Sequence, residues 1–495
     1  MDQRLTGIRH PRAPPYPYPN ERRGSPSCLL LAILAPLRIN PHPSARIDLH
    51  PSPSGIHVTP MTSSGPFHPP HPDAARSLRP WIALAFTVLL GLSGTQVAAA
   101  QDTPAGSLFD PAIASHPGVV QALEILERDF DRQVEEWIHI TEIPAPSGHE
   151  QERAEYLRQE FEALGLEVSI DSIGNVTARR PGTGGGPTIV YAAHMDTVFP
   201  LGTDITVRID GDTLRAPGIS DDSNELASML ALARAMDEAG LETRGDILFV
   251  GTVQEEVGLV GMTYWLDHNP EPDMLIALDS GLGSVSYGAL GIYWTRYFFR
   301  GEAAHTLSST GRPHPARAVS RAILSLYEME LPGGSDGAVM NVGMLEGGEI
   351  YNAIPAQVSF TLDLRSVDPE LLDRLNDEVE ARVAAAAAAE GVEWALEATN
   401  RTPAGGTEAD LADRRTHPVV ETTLHVHQHL GLEARAVASG ATDANVAVAR
   451  GIPAIATGTG RGGNAHTLAE WAYVPIQRMG MRMLLLLTAS LAGVE

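Results

Sequence analysis

The sequence of 495 residues contains no lysine, so all 35 of its basic residues are arginines. This absence excludes every mechanism that needs a lysine amine, including Schiff-base, pyridoxal-phosphate and P-loop chemistry. Cysteine is almost absent too, and the single Cys28 lies in a segment that we expect to be outside the mature protein. Neither disulfides nor thiolate catalysis are predicted. A metal site in this chain must therefore use histidine, aspartate and glutamate.

Positive charge is also scarce. The chain has 61 acidic residues, which gives a formal net charge of −26. Such a chain repels phosphate backbones and anionic lipids, which argues against nucleic-acid or membrane-surface binding. Hydrophobic residues make up 43% of the chain and aromatic residues only 5%. At this length, that composition predicts one large globular domain or two domains.

The first hundred residues differ from the rest. Residues 1–60 are rich in Pro, Ser, Arg and His, and are predicted to be disordered or to precede the true start codon. Residues 61–100 have the features of a secretory signal peptide, since arginines precede the apolar run 81–92 and alanines at 98–100 offer a cleavage site. The alternative is a membrane anchor, but this run is shorter than the ~20 residues that a span needs. We expect an exported protein, periplasmic or extracellular, that begins near Gln101 and is not membrane-bound.

His194 and Asp196 close the apolar, β-branched stretch 188–193, which has the pattern of a buried strand. Side chains two positions apart on a strand point to one face. This arrangement suits a metal-binding imidazole whose other N–H is held by a carboxylate. An ordinary capped loop gives the same triplet, so the pair alone does not identify a site.

Two acidic pairs follow. Asp221 and Asp222 precede a predicted helix, where they would serve as N-cap residues or as metal ligands. Glu255 and Glu256 follow the predicted strand 246–252. They would lie in a solvated loop, or beside a divalent cation that one of them binds while the other takes a proton.

The order of the elements predicts an α/β fold. Strands alternate with helices over 115–290 and again over 400–495, which indicates a mostly parallel sheet with helices on both faces. Another apolar strand, 274–278, ends at Asp279, so the polar residues are expected beyond the carboxyl edge of this sheet. Between the two parts, residues 291–399 have the order β-α-β-β-α, with a further strand after it, which predicts an inserted ferredoxin-like α+β domain.

Two other patterns are given little weight. The glycines at 458–463 match G-x-G-x-x-G, but they lie late in the chain, lack a βαβ context and lead to a histidine, so dinucleotide binding is not predicted. His425, His427 and His429 resemble a metal-binding tract, but no carboxylate pattern surrounds them. We expect them to lie on an exposed helix face.

Taken in order, these motifs resemble a family of co-catalytic zinc exopeptidases and amidohydrolases that includes peptidase T, carboxypeptidase G, carnosinase-type dipeptidases and aminoacylases. The resemblance covers the chain from about residue 119 to its C-terminus. The motifs are I-P-A-P-S-G at 143–148, H-M-D-T at 194–197, G-I-S-D-D at 218–222, E-E at 255–256, D at 279, G-E-A-A-H at 301–305, N-A-I-P at 352–355, D-L-R at 363–365, G-A-T-D at 440–443 and H-T-L-A-E at 466–470.

The resemblance implies two Zn²⁺ ions, for which cobalt or manganese would be substitutes. Asp221 would bridge the ions, with His194 and Asp279 on one and Glu256 and His466 on the other. The peptide bond after Asp221 would be cis. This ligand set agrees with the absence of cysteine from the predicted site.

The resemblance also implies the roles of the remaining residues. Glu255 would be the general base that takes a proton from a metal-bridging water and passes it to the leaving amine, and Asp196 would orient the first histidine ligand. The inserted domain would serve as a lid and as the surface of a homodimer. In it, His305 would help to hold the oxyanion, and Asn352 and Arg365 would bind the backbone or carboxylate of the substrate.

The predicted function is that of a dizinc exopeptidase, an aminopeptidase or a di- or tripeptidase, acting on short peptides. Asp279 and the segment before His466 resemble the branches with those activities. An N-acyl-amino-acid amidohydrolase with the same metal chemistry is the alternative. A catalytically inactive peptide-binding relative is a third, although the base and all five ligands are retained. The chain departs from many members of the family at Ser223 and Glu225, where they have a lysine and a glycine.

Overall fold

The computed structural model describes residues 106–334 and 337–495, so the predicted disordered segment 1–60 and the predicted signal peptide 61–100 lie outside the described residues. Within the described ranges, no helix has both the length and the apolar character needed to cross a membrane. The helices are α1 Pro117–Arg128, α2 Phe130–Thr141, α3 Gln151–Ala163, α4 Ser223–Glu238, α5 Val260–His268, α6 Pro315–Tyr327, α7 Pro369–Glu390, α8 Glu408–Arg415, α9 Pro418–His429, α10 Ala444–Ala449 and α11 Val474–Ala492.

The strands form a large sheet, a four-stranded sheet in the inserted segment, and smaller groups. They are β1 Glu167–Ile170, β2 Val176–Arg180, β3 Ile189–His194, β4 Arg208–Asp210, β5 Thr213–Arg215, β6 Ile247–Thr252, β7 Met274–Leu278, β8 Ser284–Ser286, β9 Gly291–Arg300, β10 Ala304–His305, β11 Ala338–Gly347, β12 Ala353–Ile354, β13 Gln357–Ser366, β14 Glu393–Thr402, β15 Arg435–Val437, β16 Ala454–Thr457, β17 Gly462–Gly463 and β18 Trp471–Tyr473.

The large sheet has the strand order β1-β2-β6-β3-β7-β16-β8-β15. Its centre, from β6 through β3 and β7 to β16, is parallel, while β1 and β2 add an antiparallel edge. All six residues of β3 are buried, because helices cover both faces. Ile189 and Tyr191 pack into one core, and Val190 and Ala192 pack into the other. The predicted α/β class with a mostly parallel sheet is confirmed.

The inserted segment has a core of its own. Strands β9, β11, β13 and β14 form an antiparallel sheet in the order β11-β13-β9-β14. Helices α6 and α7 pack against it, with Leu326 and Leu372 fully buried beside Tyr297 and Phe360 of the strands. This βαββαβ arrangement is the predicted ferredoxin-like one.

One local expectation was wrong. The three histidines of α9 do not share an exposed face. His425 is buried against Phe109 and lies within hydrogen-bond distance of Ser107, and His427 is fully buried, so only His429 of the three is exposed.

Candidate metal centre and active site

The parallel strands place the predicted site residues at one edge of the large sheet. In the pairing of β3 with its neighbours, His194 lies opposite Thr252 of β6, and Ala192 lies opposite Ala277 of β7. The three strands therefore end at nearly the same level. Glu255 follows β6 by three residues and Asp279 follows β7 directly, so both reach the position of the histidine.

Asp221 lies between two histidines. His194 Nε2 is 2.9 Å from Asp221 Oδ1, and His466 Nε2 is 3.0 Å from Asp221 Oδ2. His466 Nε2 also lies 3.1 Å from Glu256 Oε1. Each oxygen of the central carboxylate thus faces a different histidine, which is the arrangement that a bridging ligand requires.

The other carboxylates complete two overlapping groups. Ligand atoms of His194, Asp221 and Glu256 lie within 4.8 Å of one another, and so do those of His194, Glu255 and Asp279. Imidazole nitrogens and carboxylate oxygens are ligands that zinc takes in proteins without thiolates. The structure therefore brings all five predicted ligands and the predicted base to one place.

The electrostatics of the cluster fit a divalent cation. Burial raises the pKa of Asp279 to about 8, and the negative charges of Asp221 and Asp443 add to this effect. Several carboxylates packed in a buried space favour a bound cation, whose charge offsets their repulsion. Hydrogen bonds with Asp221 and Glu256 raise the pKa of His466 to about 10, so these carboxylates hold positive charge strongly.

Glu255 is buried, and burial raises its pKa well above the ordinary value, helped by the nearby charges of Asp279, Asp443 and Glu256. A carboxyl group with a raised pKa can take a proton near neutral pH and give it up again. This environment suits a group that acts first as a base and then as an acid.

Asp196 lies beside the first histidine through both its backbone carbonyl and its carboxylate. His194 Nδ1 lies 3.0 Å from the backbone carbonyl oxygen of Asp196 and 3.5 Å from its carboxylate. The carboxylate accepts hydrogen bonds from Ser147 Oγ at 2.6 Å and from the backbone N–H groups of Glu255 at 2.9 Å and Glu256 at 3.3 Å. One residue therefore orients the histidine and fixes both glutamates.

Glu470 holds the loop that carries the central aspartate. Its buried carboxylate accepts hydrogen bonds from the backbone N–H groups of Gly218, Ser220 and Asp221, at 2.8, 2.8 and 3.1 Å, and from Ser220 Oγ at 2.8 Å. The peptide bond between Asp221 and Asp222 is cis, as the resemblance implies. Glu470 belongs to the H-T-L-A-E motif, but its role could not be predicted from the sequence because its partners are some 250 residues away.

A second buried acid, Glu225, binds the segment that follows β16. Its carboxylate accepts hydrogen bonds from the N–H and Oγ of Thr459, both at 2.7 Å, and from Asn224 Nδ2 at 2.8 Å. Gln477 Nε2 extends the network to Thr459 at 2.6 Å and to Ser228 at 2.7 Å. The departure from the family pattern at Glu225 thus anchors the start of the loop that leads to the second histidine.

The predicted substrate-binding residues lie in the inserted segment. Asn352 Nδ2 donates to His305 Nε2 at 3.2 Å across the pairing of β12 with β10. Arg365, on β13, forms an ion pair with Asp363 at 2.8 Å. Among the described residues, no hydrogen bond or ion pair joins these three side chains to the metal cluster. The structure therefore brings two of them together but does not bring them to the ligands.

Fold and site together define an α/β protein with a candidate metal centre at the carboxyl edge of a mostly parallel sheet. Residues 190–489 match the model of the peptidase family M20/M25/M40, and the chain belongs to this family. Its members are peptidases and amidohydrolases, so the protein is an enzyme that hydrolyses peptide or related amide bonds.

Individual proteins are similar to the chain in sequence or in structure. The chain is 27% identical over 339 residues to the uncharacterized protein YqjE of Bacillus subtilis (strain 168), across 66% of this chain and 89% of that protein. It is 25% identical over 301 residues to carboxypeptidase G2 of Pseudomonas sp. (strain RS-16), across 59% of this chain and 69% of the relative. The solved structure of aminopeptidase PepT from Bacillus cereus ATCC 10987 is 25% identical, with a TM-score of 0.61, and the match covers 73% of this chain and 99% of that one.

Proposed function

We propose that the protein is a dizinc exopeptidase that hydrolyses short peptides. The main support for this proposal is the position of the Asp221 carboxylate. One of its oxygens faces His194 and the other faces His466. Asp221, His194 and Asp279 would hold one Zn²⁺, and Asp221, Glu256 and His466 would hold the other. When bound, the two ions supply Lewis-acid polarisation of the scissile carbonyl and charge stabilisation of the oxyanion.

The residues of the chain supply the proton transfers. Glu255 takes a proton from the attacking water and delivers it to the leaving amine, which its raised pKa supports. Asp196 holds the backbone of Glu255 at 2.9 Å and so fixes the position of the base. The similarity to PepT, whose structure has the same fold, and the aspartate at 279 support an aminopeptidase or a di- or tripeptidase.

The mature protein, purified from Gln101 onward and loaded with zinc, should hydrolyse members of a panel of di- and tripeptides. Glu255→Ala should remove this activity, while Glu433→Ala, which alters an exposed glutamate on a loop, should keep it. Hydrolysis of N-acyl amino acids alone would move the protein to the deacylases. Absence of turnover with zinc, cobalt and manganese would overturn the enzymatic proposal.

We also propose that the protein is exported and forms a homodimer through residues 291–399. Strand β11 lies at the outer edge of its sheet and exposes Val339, Met344 and Leu345. An exposed apolar edge strand favours pairing with a second copy. Light scattering should give the mass of a dimer, and Leu345→Arg should give that of a monomer.

Export is checked by N-terminal sequencing of the secreted chain, which should begin near Gln101.

A further inference from the structure

Residues 253–256, here called the base loop, carry the predicted base and one predicted metal ligand. Each of their four backbone N–H groups donates to an oxygen of a buried side chain. The first donates to Asn175 Oδ1 at 3.0 Å and the second to Glu150 Oε1 at 3.1 Å. The last two donate to the carboxylate of Asp196. Side chains from three other segments therefore hold the backbone of the base loop.

Gln254, the second residue of the base loop, has an unusual backbone conformation. Its φ angle is +52°, in the left-handed region that residues with a side chain rarely adopt. Such a conformation persists only where the surrounding structure holds it. The N–H of Gln254 is bound by Glu150, and its carbonyl oxygen accepts a hydrogen bond from Val260 N–H at 3.2 Å. Because Gln254 directly precedes Glu255, relaxation of this residue would move the base.

The carboxylate of Glu150 is itself fixed. The residue is 2% exposed and immediately precedes α3, where its carbonyl oxygen accepts a hydrogen bond from Ala154 N–H at 2.9 Å. Its Oε1 also accepts a hydrogen bond from Gly148 N–H at 2.7 Å. Gly148 has a φ angle of +87°, which a glycine adopts without steric cost. The oxygen that binds Gln254 is therefore held by a helix end and by a tight turn.

A buried cation offsets the negative charge of this carboxylate. Arg153, further along α3, is 1% exposed, and its positive charge interacts with those of Glu150 and Asp196. The guanidinium donates to the carbonyl oxygens of Met195 at 2.9 Å and Ile143 at 3.1 Å, so its position is fixed. Burial of charge is costly unless it is compensated in this way. Both carboxylates can therefore serve as buried acceptors for the base loop.

We propose that Glu150 is a positioning residue for the hydrolytic reaction. It holds Gln254 in the left-handed conformation and so fixes Glu255 relative to the attacking water. Among the described residues, no hydrogen bond or ion pair joins the side chain of Glu150 to a predicted metal ligand, so its effect passes through the backbone of the base loop. The proposal rests on the proposed role of Glu255 as the base.

The kinetic test uses the zinc-loaded protein and a peptide that it hydrolyses. Glu150→Ala should lower kcat by about 10–100-fold with little change in KM, because a displacement of about 1 Å near the reacting atoms has an effect of this size. Glu150→Gln keeps an oxygen that can accept both N–H groups, so its kcat should stay within about threefold of the unaltered value. Glu152→Ala, the same change at an exposed position of α3, should alter neither constant.

A second substitution distinguishes positioning of the base loop from a general loss of stability. Glycine adopts a positive φ angle freely, so Gln254→Gly should remove the need for Glu150 to hold this residue. In the Gln254→Gly protein, Glu150→Ala should therefore lower kcat by only about threefold or less, since changes at residues in contact are not additive. A loss through α3 alone would be equal in both proteins, and that result would overturn the proposal. If Glu150→Ala does not fold, the same comparison is made with Glu150→Asp, whose oxygens are withdrawn by one methylene group.

Hydrogen exchange of the zinc-loaded protein separates this inference from the proposed function. In Glu150→Ala, amides of the base loop should exchange about tenfold faster or more, while those of β7 keep their rates. If the unaltered protein hydrolyses no peptide, the peptidase proposal fails and exchange alone decides. Faster exchange then supports the hold of Glu150 on the base loop, and unchanged exchange overturns it. If peptides are hydrolysed, equal kcat in Glu150→Ala and Glu152→Ala overturns the proposal.

Discussion

Glu470 is not a predicted metal ligand, but it holds the loop that carries the predicted ligand Asp221. It receives four hydrogen bonds from the segment that ends at Asp221, and three of these come from backbone N–H groups. A carboxylate has acceptors only, so it matches this set of donors fully. An amide of the same shape would present its NH₂ group to some of these donors.

Glu470→Gln should therefore displace the loop of Asp221 and weaken metal binding by about 10–100-fold, as changes behind metal ligands commonly do. Competition with a chromophoric zinc chelator measures the affinity. Glu433→Gln, the same change at an exposed loop position, is the control and should bind zinc normally. Unchanged affinity in Glu470→Gln would mean that the loop is held by other contacts.

His466 gives the site a pH dependence. Its pKa is raised to about 10 by hydrogen bonds with Asp221 and Glu256, so it is protonated at pH 7 when no metal is bound. A metal must displace this proton, and the apparent affinity should rise with pH by about tenfold per unit for each proton released. Calorimetry in buffers of different ionisation enthalpy should detect release of at least one proton at pH 7. Affinity that does not change between pH 6 and 8 would contradict this expectation.

At the scale of elements, helix α4 is joined to the loop after β16 and to α11 by buried polar contacts. Glu225, at the start of α4, binds Thr459 before the loop, and Gln477 of α11 binds the same threonine. Asn224 Oδ1 and Gln477 Oε1 have no hydrogen-bond partner among the described residues, so the network is only partly satisfied. Burial raises the pKa of Glu225 to about 7, despite these hydrogen bonds.

This shift predicts a pH dependence of stability. The pKa in the folded state lies above the unfolded value, so folding takes up a proton between the two values. The contribution of Glu225 to stability is fully present below about pH 4.3 and is lost as the pH rises through 7, by up to about 4 kcal/mol. Urea unfolding at pH 5, 6, 7 and 8 should show a steeper decline for the unaltered protein than for Glu225→Gln. Parallel curves would show that Glu225 does not titrate in this range.

Elements with a long apolar pattern could be predicted from the sequence, and short ones could not. Strands β3, β6 and β7 were recognised because each is a continuous buried run that ends at a polar residue. The sheet of β4, β5, β17 and β18 could not be predicted, because its strands have only two or three residues, which is too short for an alternation of apolar and polar residues to be seen. Strands β4 and β5 pair as sequence neighbours, and so do β17 and β18, but the two pairs are joined by β5 and β18, which lie more than 200 residues apart.

The same limit applies to the site. Residues that follow strongly patterned strands, such as His194 and Asp279, could be predicted as candidates because parallel strands end together. His466 was found through its resemblance to a family motif, since no strand leads directly to it. The support from Glu470 and Glu225 could not be predicted, because a hydrogen bond between distant segments leaves no local pattern in the sequence.

At the scale of the whole molecule, the metal cluster joins distant parts of the chain. Its ligands run from His194 to His466 and lie on both sides of the inserted segment. A ligand that binds only the folded state stabilises it, by about 2.7 kcal/mol at a hundred times its dissociation constant. Chelation should therefore lower the cooperative unfolding temperature of the whole described fold.

Differential scanning calorimetry with zinc and with EDTA should show a fall of several degrees on chelation. His194→Ala should reduce this difference, because the histidine is one of the three proposed ligands of one ion. Asn352→Ala, in the inserted segment, should retain it. A transition that is the same in zinc and EDTA would mean that metal binding and folding are independent.

The link between Glu470 and Asp221 also has a consequence for biosynthesis. Asp221 and Glu470 are separated by the whole inserted segment, and His466 and Glu470 both follow that segment. A nascent chain on the ribosome has His194, Glu255 and Asp279 long before it has the residues that complete the cluster. The proposed peptidase site can therefore form only after Glu470 has been synthesised, and a chain released before that residue has no means of becoming active.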